Sequence, residues 1–184
     1  MRFELRAAVL ALGLASAALP AFAAGEPMVG GAAMYPNKDI IDNAVNSKDH
    51  TTLVAAVKAA GLVDTLKGPG PFTVFAPTNE AFNALPAGTV TTLLKPESKP
   101  TLTKILTYHV VSGKIDAAAL TKMISDGKGS ATLKTVEGGT LIAKMAGNGV
   151  TITDAKGGVA HVTIANVYQS NGVIHVVDKV LLPS

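Results

Sequence analysis

The chain has 184 residues, 48% of them hydrophobic and 16% charged, with no Cys, no Trp and a formal net charge of +3. That is enough apolar chain for one packed domain, and too little charge for a disordered one. Without Cys, a zinc ribbon, an iron–sulfur site, a disulfide scaffold and a cysteine nucleophile are excluded, and so small a charge points to no partner by itself.

Residues 1–23 read as an export signal. Arg2 and Arg6 give a positive start, an apolar run follows from Ala7 to Leu19, and Ala21-Phe22-Ala23 is a small-x-small cleavage site. The run is short of the roughly 20 residues that span a bilayer. Cleavage would remove both arginines, and the remaining lysines are spread singly from Lys38 to Lys179. A mature chain without Arg lacks the usual bidentate clamp for phosphate and base edges, so nucleic-acid binding is not expected. A lipid anchor would need a Cys after the signal. The expected product is periplasmic or secreted, with no transmembrane segment and stabilised by packing alone.

Residues 24–36, rich in Gly, Ala and Pro, read as a flexible lead-in, and 37–184 as a single domain. Ile40, Ile41, Ala44 and Val45 share one helical face; so do Leu53, Val54 and Val57, in a run closed by Gly61. Phe72 to Pro77 reads as a short strand, after which Thr78 can cap a helix through Phe82. Another helix starts near Ser98 with Pro100 in its first turn; Leu102, Ile105, Leu106 and His109 lie on its apolar face. The period then changes. Ala131–Val136, Leu141–Ala146, Val150–Asp154, Val159–Ala165 and Val173–Leu182 read as strands separated by short Gly- and Asn-containing turns, an antiparallel meander. The last strand is apolar on both faces and should be central.

The chemistry-bearing residues read as scaffold. His175 and Asp178, three apart on a strand, point to opposite faces. The four histidines show no metal-ligand spacing, although His161 and His175 on neighbouring strands could be brought together by the fold. Gly127-Lys128-Gly129-Ser130 lacks the first glycine of a phosphate loop and leads into a strand. Gly68-Pro69-Gly70-Pro71 reads as a rigid turn. No catalytic, cofactor or metal site is assigned.

Three stretches in order resemble the signature of the fasciclin-like (FAS1) domain family. Thr73-Val-Phe-Ala-Pro-Thr-Asn-Glu-Ala-Phe82 is similar to its first box, with Thr73, Phe75, Pro77, Thr78, Asn79 and Phe82. Tyr108-His109 is similar to its central motif. Asn171-Gly172-Val-Ile-His175-Val-Val-Asp178 through Pro183 is similar to its second box. The resemblance implies an α+β fold: a β-wedge or sandwich of mostly antiparallel strands flanked by short helices in the N-terminal half. It also implies a non-enzymatic adhesion or protein-interaction module, a bacterial secreted single-domain member that binds an extracellular or cell-surface protein; a monomer or weak oligomer is expected.

By the same resemblance Tyr108 and His109 are the candidate interaction residues, with packing the competing role. The Asp-Ile pair of animal members corresponds to Asn166-Val167, a departure that argues against integrin-type recognition. The alternative function is a periplasmic carrier of a small apolar ligand or lipid, held between helices and sheet. A hydrolase would require His109, His161 or His175 to share an open cleft with a carboxylate.

Overall fold

The computed structural model describes residues 26–184, so the export signal expected at 1–23 lies outside the described residues. The lead-in differs from expectation. β1 (Met28–Val29) and β2 (Ala32–Ala33) pair around Gly30-Gly31, and Val29 and Met34 are buried in the core. Gly30 cannot be replaced freely: it has positive φ, and a Cβ there would lie 2.5 Å from Ser47 Oγ. Apolar side chains on either side of a tight turn can reach the core, and packing here begins before Asn37.

Helices follow. α1 (Ile40–Ala44) is capped by Asp39, whose carboxylate accepts from the Asp42 N–H. After a 3-10 turn at Lys48–His50, α2 (Thr51–Ala60) ends at Gly61 in the left-handed conformation. α3 (Val63–Lys67) leads to β3 (Phe72–Pro77). α4 (Asn79–Asn83) starts at Thr78, whose Oγ1 accepts from the Ala81 N–H. α5 (Thr89–Leu93) precedes α6 (Lys99–Tyr108), which carries Pro100 in its first turn. β4 (Val110–Ser112) then leads to α7 (Ala117–Asp126), capped by Asp116.

The second half is the expected meander: β5 (Ser130–Lys134), β6 (Thr140–Ala146), β7 (Gly149–Thr153), β8 (Val159–Gln169) and β9 (Gly172–Val177), each antiparallel to the next. β9 also pairs parallel with β3, giving the order β4-β3-β9-β8-β7-β6-β5. A lone bridge, Val111↔Thr135, brings the two outer strands together and curls the sheet into a wedge.

Two cores result. Val74 and Ala76 of β3, with Ile174 and Val176 of β9, face the helices; Phe75 and Val177 face the wedge interior with Leu133, Leu141 and Ile152. This explains why β9 is apolar on both faces.

β9 ends at Val177, earlier than the expected Leu182, and the chain beyond it leaves the sheet. The turn before it is Ser170-Asn171, with Gly172 already paired to Gln169. A Cβ at Gly172 would lie 2.1 Å from the Phe72 carbonyl oxygen, so glycine lets the two parallel strands start side by side. α7 places a helix outside the N-terminal half.

Candidate functional site

Tyr108 and His109 end α6, and the structure places both inside. The Tyr108 ring is fully buried; its hydroxyl donates to the Thr140 carbonyl at 2.6 Å and accepts from the Ala155 N–H at 3.0 Å. Burial raises its pKa above the ordinary value of 10.0. One phenol thus ties the end of α6 to the start of β6 and to the turn after β7. Gly139 lies against the ring, where a Cβ would come 2.8 Å from Tyr108 Cε2.

His109 is 2% exposed, with Nδ1 2.8 Å from the Ile105 carbonyl and Nε2 accepting from the Leu181 N–H at 2.9 Å. A carbonyl only accepts and an amide N–H only donates, so the proton sits on Nδ1 and the ring is neutral. Nδ1 satisfies an orphan carbonyl in the last turn of α6, and Nε2 fastens the segment after β9. Desolvation by burial pushes its pKa from 6.5 down to about 4.

Beside them lies Asp154, 6% exposed and given no role by sequence reading. Its carboxylate accepts from the N–H groups of Lys156 (2.9 Å), Gly158 (2.7 Å) and Leu182 (2.9 Å). His109 and Asp154 together hold the chain at Leu181 and Leu182. A Gly-Gly turn after an Asp is the only sequence signal of this role.

The remaining signature residues also make their contacts within the domain. Thr73 Oγ1 donates to the Gly113 carbonyl and accepts from the Ile115 N–H. Phe75 stacks on His175 with centroids 5.7 Å apart, and Phe82 is buried among the helices. Pro77 closes β3. Asn79 Oδ1 accepts from the Thr52 N–H and so supports the start of α2. Asn171 Oδ1 accepts from the Ile40 N–H, while its amide nitrogen donates to the carbonyls of Leu66 and Gly68. One side chain therefore joins the start of α1 to the end of α3.

His175 and Asp178 part company, as strand geometry requires. His175 is buried, its Nε2 2.8 Å from the Ile115 carbonyl, and burial lowers its pKa. Asp178 is exposed and reaches His161 of β8, Oδ2 to Nδ1 at 3.1 Å, while Oδ1 accepts the His161 N–H. His161 and His175 are not brought together. Among the described residues no cluster of three or more acidic or histidine side chains could hold a metal ion.

Asn166-Val167 sits in a bulge of β8, with Asn166 at φ +60°. Asn166 Oδ1 accepts from the Ala117 N–H at the start of α7, and Val167 is buried. The enclosed space between the helices and β3–β9 is about 40 Å³ and lined by apolar side chains with Ser47, His50 and His109. That holds a water-sized guest, against the roughly 300–1,000 Å³ of small-molecule sites.

The curled sheet, with α1–α6 packed on one face and Leu120 and Ile124 of α7 packed into the wedge interior, is a β-wedge architecture. A family model described as Fasciclin domain matches residues 48–183, and the chain belongs to that family. It is similar to Protein sll1483 of Synechocystis, 45% identical over 92% of this chain and 95% of that protein. It is 37% identical to Immunogenic protein MPB70 of Mycobacterium bovis, over 76% of this chain and 66% of the relative. The same identity links it to transforming growth factor-beta-induced protein ig-h3 of Sus scrofa, over 80% of this chain and 20% of that longer protein. In fold it matches a FAS1 domain pair from the insect cell adhesion molecule Fasciclin I, with a TM-score of 0.71 at 19% identity, covering 80% of this chain and 51% of that one.

Proposed function

We propose that this chain is an exported, non-enzymatic adhesion module that binds a protein at the cell surface or outside the cell. The carrying observation is the use of the signature. Tyr108, His109, Asn171 and Thr73 direct their polar atoms to backbone groups of the domain itself, which suits a rigid display scaffold. Membership of a family that includes an adhesion molecule supports the same reading. Tyr108 and His109 act from inside, shaping the surface rather than touching the partner. Among the described residues no helix is long and apolar enough to cross a membrane. Export rests on the signal at 1–23, and N-terminal sequencing of the protein from its host should begin at Ala24.

The test of function is deletion of the gene, followed by attachment and aggregation assays of the cells with in situ cross-linking. Reduced attachment and a cross-linked surface protein are expected. Unchanged attachment with no cross-linked partner overturns the reading.

A further inference from the structure

The two outer strands of the sheet meet at one point and then part. At the Val111↔Thr135 bridge the Val136 N–H donates to the Val110 carbonyl at 2.8 Å. Just beyond, Gly113 (φ +100°) turns the chain away from β5. The alternation of an antiparallel ladder then decides which backbone groups of β5 are left over. Thr135 donates to the Gly139 carbonyl, so Thr135, Leu133 and Ala131 bond toward β6. Thr132 turns its N–H and C=O the other way, and no hydrogen bond joins them to the residues after Ser112.

The gap is a groove of about 440 Å³ whose floor is Val111 and Leu133. Its walls carry Ile115 and the exposed apolar side chains of Met123 (37%) and Val136 (45%). Lys134 is the one charged side chain lining it and forms no ion pair among the described residues. The nearby carboxylates are engaged elsewhere: Asp126 with Lys122, Glu137 with the Gly139 N–H, and Asp116 at the start of α7.

We propose that this gap between β4 and β5 is a docking site for an extended segment of a partner protein, which adds a strand to the free edge of β5. A free strand edge beside an apolar groove selects extended backbone, because only a strand can meet the Thr132 N–H and C=O while placing alternate side chains into the groove. The unpaired Lys134 selects a carboxylate on that strand. The partner segment is therefore apolar at alternate positions and acidic at one of them. This site deepens the interaction-module reading and rests on it.

The test is an NMR titration of the purified protein with a short capped peptide alternating valine and threonine around one glutamate. Binding is expected to slow hydrogen exchange of the Thr132 amide about tenfold or more, and Val136→Glu to weaken the peptide at least about tenfold. The same peptide N-methylated at alternate amides, which cannot form a ladder, is expected not to bind. Equal binding of both peptides, no binding at all, or Thr132 protection that grows with protein concentration alone would each overturn the proposal, the last in favour of a second copy of this chain. The parent reading is separated by assaying attachment with Val136→Glu, checked for an unchanged melting temperature. Full attachment by that variant sinks the groove and leaves adhesion standing. Peptide binding by a protein that supports no attachment does the reverse.

Discussion

A buried knot of Tyr108, His109 and Asp154 and the outer face of the β8–β9 hairpin hold similar side chains in opposite circumstances. In the knot, His109 and Asp154 are buried; His109 bonds to the Ile105 carbonyl one turn back, and the two side chains accept from the N–H groups of Leu181 and Leu182 far along the chain. On the outer face, His161 and Asp178 bond to each other with side chains 61% and 46% exposed. A buried acceptor leaves its donors unsatisfied when it is removed, whereas an exposed pair is replaced by water. Residue type alone therefore does not separate scaffold from surface in this domain, and position in the wedge does.

The comparison breaks most readily at Asp154. Asp154→Ala leaves the N–H groups of Gly158 and Leu182 without their acceptor and is expected to cost about 3–5 kcal/mol, read as a shift of the urea midpoint. Asp154→Asn, which keeps one carbonyl acceptor, should lose less. A loss below about 1 kcal/mol for the alanine variant would mean that the knot does not hold the last residues.

Acid should loosen the same knot. His109 has an ordinary pKa of 6.5 and a folded one near 4, so between those values the unfolded chain binds the extra proton. Its contribution is fully present above pH 6.5 and falls away as pH drops toward 4, by roughly 3 kcal/mol in all. Burial lowers the pKa of His50 and His175 as well, which adds to the same slope. His109→Gln is expected to flatten the fall of urea midpoint over that window. An unchanged slope would place the acid sensitivity in the other two histidines.

Tyr108→Phe keeps the ring and removes the hydroxyl shared by the Thr140 carbonyl and the Ala155 N–H. The expected loss is about 2 kcal/mol. Double-mutant analysis with Asp154→Asn should show coupling, since Ala155 follows Asp154 in the same turn.

Much of this knot was visible in the sequence only as resemblance. Period and caps made β3, α4, α6 and the meander legible, because Thr78, Pro100 and the glycine turns act locally. α3 and α5 have five residues each, too short for a helical period, and α7 buries only Leu120 and Ile124 in an Ala-rich stretch. Asp154 was missed for a different reason. Its partner Leu182 lies at the end of the chain, a pairing set by the curl of the sheet and by no local pattern. The groove between β4 and β5 was hidden likewise, since β4 itself was not anticipated and the two strands meet through a single bridge.

The outer face supplies the smallest effect and the cleanest contrast. His161→Gln removes the ring that meets Asp178 Oδ2 but leaves the backbone N–H that donates to Asp178 Oδ1 at 2.7 Å. Water reaches both side chains, so the lost contact is replaced at little cost and salt screens what remains. The urea midpoint should move by less than about 0.5 kcal/mol in equivalent stability, at neutral pH and in high salt alike. A loss comparable to that of Tyr108→Phe would show that the pair braces the bulged strand β8. Exposure would then no longer divide the two regions, and the His161–Asp178 contact would count with the scaffold.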